Sequence, residues 1–572
     1  MRRTLLVGAV LCVVACGESA TDPTPTPTGD GGTDGVVPPA DGGSDVVATD
    51  APIDSPPDAP SCVDLDGDGY GVGAACDPQK LDCDDKNPLV NPKMAELADD
   101  GLDNDCKDGD LKAATGPGYY VDGANGSCSD TLKLGTKAQP YCTVAMAVVD
   151  AYQNTQTSDP VGRSIFVAKG TYPLTFGTPK SMRVYGGYDG TTWAFDPVAN
   201  ETILGGNDYV EDLDSQDCRI KKSCVGQCVC LDNFEWITVN VAANFVLKSF
   251  TIMGGSKPTH PLFMLRVNSS GHVEIADSKI TGGKGLQNVG LEVAVTATDT
   301  WLLRNRIQGG VPAGSGQAAS VFAVNNHGTA TLFGNVIESG PGAAGSTAVA
   351  VQNYGTMRLV ANVLNPGDQG GNANSSYGYL NLQQQNPPRP GIGFAVHNVF
   401  FGGRGIDSSR GVLSNSPLDL VDNVIGDRTS TPLDWSKRPT QNAVALDVGF
   451  ASTTTLQNNL FFSLVYTNEP NPPNVAANRH VMAHSKVTTA YLDLIGDVNT
   501  CTWTGCKASS ANLLGDPGFV DAATNFHLKP GSACIDKGIS PNGSMTGGIG
   551  LLDVDRELRP KGPAFDIGVD EN

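Results

Sequence analysis

Short runs of alternating apolar and polar residues recur through the middle of the chain. They read FVLKSFTIMGG from 245, VEIADSKITGG from 273, TWLLRNRIQGG from 300, ATLFGNVIESG from 330, MRLVANVLNPG from 357, IGFAVHNVFFGG from 392, LDLVDNVIGD from 418 and TTLQNNLFFS from 454. Alternation with period two predicts strands with one face buried. Each run then places a polar residue before one more apolar pair and, in most cases, a glycine. That column holds Phe250, Ser278, Asn305, Asn335, Asn362, Asn398, Asn423 and Asn459, at steps of 28, 27, 30, 27, 36, 25 and 36 residues. A fixed short core separated by loops of varying length predicts a solenoid of strand coils stacked on one continuous core. Asparagine suits the turn of each coil because it tolerates left-handed backbone angles, and its amide can bond to the next asparagine in the stack.

These runs resemble the right-handed parallel β-helix of the pectin lyase-like superfamily, over roughly residues 115–530. The expected fold class is therefore all-β. A disordered tether and a small disulfide- and calcium-stabilised loop module precede the solenoid. The divisions expected are a leader at 1–15, a tether at 16–60, the acidic module at 61–111, the β-helix at 112–500, and its C-terminal coils and cap at 501–572. The stretch TVAMAVVDAY from 143 has helical apolar spacing and can cap the solenoid.

The acidic module opens with DLDGDGYG at 64–71. It carries fourteen acidic residues against four lysines in 61–111, a net −10. Asp64, Asp66 and Asp68 alternate, Gly69 permits a sharp turn, and Tyr70 can offer its backbone carbonyl. This is the first half of an EF-hand-type loop, but Ala75 stands where the bidentate Glu belongs. The remaining ligands are expected from Asp82, Asp84 and Asp85, and from Asp103, Asn104 and Asp105. Cys62, Cys76, Cys83 and Cys106 are interleaved with these clusters, and any of three pairings of two disulfides is open. DLDGDGYG, DCDDKNPLVNP and DGLDNDCKDGD resemble the MopE-like metal-binding repeat of bacterial surface proteins, and are similar to thrombospondin type 3 calcium repeats. The module has no histidine and a single methionine, so its donors are oxygens, which suit structural Ca2+. So small a segment lacks an apolar core, and cation binding supplies much of its folding free energy.

The N-terminus reads MRRTLLVGAVLCVVACGES. Two arginines precede an apolar stretch too short to span a bilayer, as in a cleaved leader. VVAC resembles a bacterial lipobox, which implies a lipid on Cys16 and a membrane partner; an ordinary secretory leader is the alternative. Gly17 in place of the family's retention Asp implies the outer membrane or cell surface. Residues 17–60 are rich in Pro, Gly, Asp, Ser and Thr and cannot form a core. The net charge of −23, from 38 Lys and Arg against 61 Asp and Glu, makes nucleic acid an unsuitable partner.

Of fifteen cysteines, those outside the leader cluster locally, as disulfides of an exported chain do. Cys128 is expected to pair with Cys142 and Cys501 with Cys506. Cys218, Cys224, Cys228 and Cys230 form either a disulfide-tied loop or, with less support, a zinc site. Cys534 is the candidate free thiol.

No catalytic residues are assigned. The GHG and NTD strings of the hydrolases are absent, as is the DH string of the lyases, and no acidic pair accompanies His272 or His327 in sequence. Asp536, Asp553, Arg559 and Asp566 read as paired cap residues. Two function classes follow. One is a surface lipoprotein whose β-helix presents a binding or adhesion surface to a glycan or another surface partner, with Tyr377 and Tyr379 as loop aromatics. The other is a divergent polysaccharide lyase or glycoside hydrolase, supported by fold analogy alone.

Overall fold

The structure is a computed structural model. It describes residues 62–153, 164–173, 176–178, 181–205, 235–239, 244–257, 262–313, 320–366, 375–385, 388–403, 408–426, 442–449, 452–462, 481–484, 489–492, 494–521, 524–541, 546 and 548–572. These lie in one compact unit spanning 59–572. The leader, Cys16, the tether and Cys218, Cys224, Cys228 and Cys230 lie outside the described residues.

Three long sheets of twelve, eleven and eleven strands wrap the core. Through the middle of the chain each coil contributes one strand to each sheet and neighbouring coils pair in parallel; the second sheet ends in an antiparallel pair, Val481–His484 with Thr489–Leu492. The register stacks like on like. In the first sheet Leu247, Ile275, Leu302, Leu332, Leu359, Ala395, Leu420 and Leu456 are successive partners. In the third sheet Ile252, Ile280, Ile307, Ile337, Leu364, Phe400, Ile425 and Phe461 do the same. All sixteen are buried in one cluster. Each of the Leu, Ile and Phe side chains contributes about 1.5–3 kcal/mol of hydrophobic stabilisation, and Ala395 less. The chain is thus a parallel β-helix. The segment Val144–Gln153 is helical and packs Val144, Ala147, Val148 and Ala151 into the start of that core.

The asparagine column is a continuous hydrogen-bonded ladder. Asn335 donates its Nδ2–H to Asn362 Oδ1 at 2.9 Å, and Asn362 donates likewise to Asn398 at 3.0 Å. The run goes on through Asn423 and Asn459 to Asn512, and Asn499 ends it. The left-handed angle falls one residue earlier than the sequence predicts. Asp277, Arg304, Ala361, His397, Asp422 and Asn458 have φ between 48° and 58°, while each following residue turns its side chain along the stack. A second ladder links Asn326, Asn353, Asn381 and Ser414 at another bend. Tyr377 and Tyr379 lie on a strand, Ser375–Asn381, not in a loop, and Tyr379 points into the core.

Past Leu513–Leu514 the chain forms the hairpin Phe519–Asp521 with Asn525–Leu528 and then returns along the bend between the first and third sheets. Asn458 Nδ2 donates to the Lys537 carbonyl, the Ile539 amide donates to Asp422 Oδ2, and Arg559 meets His397. Arg559 is buried, paired with Glu571 at 3.3 Å, and bonded to the Leu552, Asp566 and Gly568 carbonyls. Cys534 is a buried free thiol.

Candidate metal centre

The first acidic loop folds around its own backbone. Asp64 accepts the Gly67 and Gly69 amides through its two oxygens at 2.8 and 3.1 Å. Asp66 accepts the Asp68 amide and Asp68 accepts the Tyr70 amide. Gly67 and Gly69, at φ +77° and +95°, allow the reversals. Disulfide Cys62–Cys76 closes the first loop and Cys83–Cys106 ties the second loop to the stretch around Asp103–Asp105, while the Asp82 amide donates to the Gly71 carbonyl and joins the two loops. Asp82 there accepts the Asp84 amide, and Asp85 accepts the Leu65 amide at 3.0 Å.

Five carboxylates converge. Ligand oxygens of Asp64, Asp66 and Asp85 lie within 4.8 Å of one another, as do those of Asp66, Asp68 and Asp82. One oxygen each of Asp66, Asp82 and Asp85 is buried without a hydrogen-bond donor. Burial and mutual repulsion push Asp66 up to about 7 and Asp68 up to about 6, and burial raises Asp82. Buried, unpaired carboxylate oxygens in two overlapping groups that share Asp66 fit a hard cation. Asp82 and Asp85 supply what Ala75 does not.

The side chains of the other expected ligands do not join these two groups. Asp84 is exposed and caps a turn through its carbonyl. Tyr70 gives its amide to Asp68. Asp103 accepts the Lys107 and Gly109 amides. Asn104 accepts the Leu97 amide and gives its own to Glu96. Asp103 and Asp105 do group with Glu96, which sequence reasoning missed. There Arg183 already answers Asp105 at 3.0 Å.

This second group joins the module to the outward face of the first sheet. Tyr185 Oη donates to the Glu96 carbonyl at 2.7 Å, and Lys248 Nζ donates to the Leu97 and Ala98 carbonyls. The Ala95 amide donates to Glu274 Oε1 at 2.7 Å. Leu89, Met94, Leu97 and Leu111 pack on Tyr185, Val246, Leu303 and Phe333, with Ile549 and Leu552 from the C-terminal stretch. Beside this seam His272 bridges Glu274 at 2.6 Å and Asp299 at 2.9 Å, so an acidic pair does accompany it in space. Asp299 is its partner one coil on, invisible to a search for neighbouring acids. Hydrogen bonds to both carboxylates outweigh burial and hold the imidazole at about 9. Lys93 and the Trp301 indole also reach Asp299. The constellation is an ion-paired staple between module and sheet.

The family model for the MopE-like metal-binding motif, whose name refers to copper, matches residues 82–110. No curated protein matches the chain. Among solved structures, pectate lyase Pel9A aligns over 80% of this chain and 96% of its own, at 10% identity and a TM-score of 0.38. The Dettilon tailspike protein gp208 aligns over 66% of this chain and 64% of its own, at 10% identity and 0.32. A rhamnogalacturonan lyase covers 71% of this chain and 91% of its own, at 9% identity and 0.31. Scores this low carry no argument about activity; the solenoid stands on its strand register. Register and motif together define a parallel β-helix protein bearing a MopE-like metal-binding motif.

Proposed function

We propose that the chain is an exported, lipid-anchored surface protein in which Ca2+ fixes the acidic module against a β-helix that presents a binding surface. The observation that carries the calcium reading is the trio of buried, unpaired oxygens on Asp66, Asp82 and Asp85. Oxygen-only donors favour calcium over copper, and the cluster contains neither histidine nor methionine. The role is structural, because the metal loop and the sheet-binding stretch 94–113 belong to one disulfide-tied unit.

Four disulfides support an oxidising, extracytoplasmic setting. Lipidation of Cys16 and an outer-membrane or cell-surface location rest on the lipobox-like sequence. The partner class is a glycan or another surface molecule. Supporting this, His327 and Tyr354 stack at 5.0 Å and 8°, both half-buried, on successive coils. Tyrosine is enriched at binding surfaces because its apolar ring carries a polar tip.

The test is incubation of the chain from residue 61 with calcium and a panel of acidic and neutral polysaccharides. Retention of a glycan without new soluble oligosaccharides supports the binding reading. Products with unsaturated or hydrolysed ends, formed only with active protein, replace it with a lyase or a hydrolase.

A further inference from the structure

We propose that His527, Asp555 and Asp570 form a second cation site, one that takes a borderline divalent metal such as zinc. The three residues come from separate stretches: the strand Asn525–Leu528, the turn after Leu552, and the C-terminal run. His527 Nδ1 lies 2.8 Å from Asp570 Oδ1 and 3.6 Å from Asp555 Oδ2. Ligands bound at about 2.0–2.1 Å around a tetrahedral zinc stand about 3.4 Å apart, a value these two distances bracket.

Each ligand is already oriented. The Leu528 amide donates to Asp570 Oδ2 at 2.9 Å, the Asp555 amide donates to Asp553 Oδ1 at 3.0 Å, and the His527 amide donates to Asn525 Oδ1. Such outer contacts fix the direction of metal ligands. Asp553, which receives the Asp555 amide, is itself fully buried with Oδ2 unpartnered. The His527 and Asp555 side chains are 44% and 51% exposed, so an ion has access.

The imidazole separates this site from the oxygen-only centre of the module, and from calcium.

The experiment is calorimetric zinc titration of the full, untagged chain in saturating calcium, which keeps the module's centre filled. About one equivalent of zinc is expected to bind. His527→Ala and Asp555→Asn should each weaken that binding ~10-fold or more. Asp555 is half-exposed, so Asp555→Asn should keep the zinc-free melting midpoint and rule out misfolding as the cause. No zinc binding, or zinc binding that either variant leaves intact, overturns the site and leaves a plain His–Asp hydrogen bond.

Discussion

Arg183 and Asp105, 78 residues apart in sequence, meet at 3.0 Å with both side chains buried. One belongs to the first sheet of the solenoid and the other to the acidic module. The contact explains why a segment with so little apolar surface has a defined place: its charge is answered by the solenoid's flank.

Breaking this pair strands a buried carboxylate. Arg183→Met should cost about 3–5 kcal/mol in calcium-saturated denaturant melts. Adding Asp105→Asn should return part of that loss, because the orphaned charge is then gone. Equal losses in the single and double variants would show that the pair is not coupled.

The asparagine ladder makes a second quantitative expectation. Asn362 accepts from Asn335 and donates to Asn398, Leu332 and Val360. Asn362→Ala leaves several buried groups unpaired, at about 1–3 kcal/mol each. A loss of about 2–5 kcal/mol in thermal or denaturant melts is expected. A fall below about 1 kcal/mol would mean that water replaces the ladder.

The staple at His272 gives a pH dependence. Its folded-state value of about 9 lies above the unfolded value of 6.5. Its stabilisation is therefore complete below about pH 6.5 and is lost as pH rises through 9, at no more than ~1.4 kcal/mol per pH unit. Wild type should lose stability between pH 7 and 9, and His272→Gln should remove that slope. Parallel pH profiles for the two proteins would contradict the assignment.

The C-terminal stretch touches the metal loop at Gly548. Gly548 has φ +86°, and a Cβ there would lie 2.8 Å from the Asp66 carbonyl oxygen and 2.9 Å from the Asp68 nitrogen. Gly548→Ala should therefore displace the loop and weaken calcium binding about 10-fold. Gly515→Ala, whose Cβ meets nothing closer than 3.9 Å, is the control. Unchanged affinity in Gly548→Ala would mean that the loop yields freely.

Much of this molecule is legible in sequence because its strongest signals are local or periodic. Alternation marks the strands, and Asn305 to Asn459 mark one bend of nearly every coil. Asp64, Asp66 and Asp68 mark the metal loop because a DxDxDG turn folds on itself. What stays hidden is set by the stacking. Nothing near Asp105 announces Arg183, and nothing near His272 announces Asp299, since these contacts join different coils or different modules. The ladder through Asn326, Asn353 and Asn381 escapes notice because its turns differ in sequence and pass into serine at Ser414. Glu96 lies outside the DxD-type clusters, and only its burial, with the Asn104 and Leu111 amides donating to its carboxylate, gives it a role.

The most direct test is calcium titration of the chain from residue 61, followed by calorimetry and by thermal melts with and without chelator. Calcium should bind, and the melting midpoint should climb with its concentration, as it does for a ligand of the folded state. Asp66→Asn and Asp82→Asn should abolish both effects. No heat of calcium binding, together with a midpoint that chelator leaves unmoved, would contradict the account.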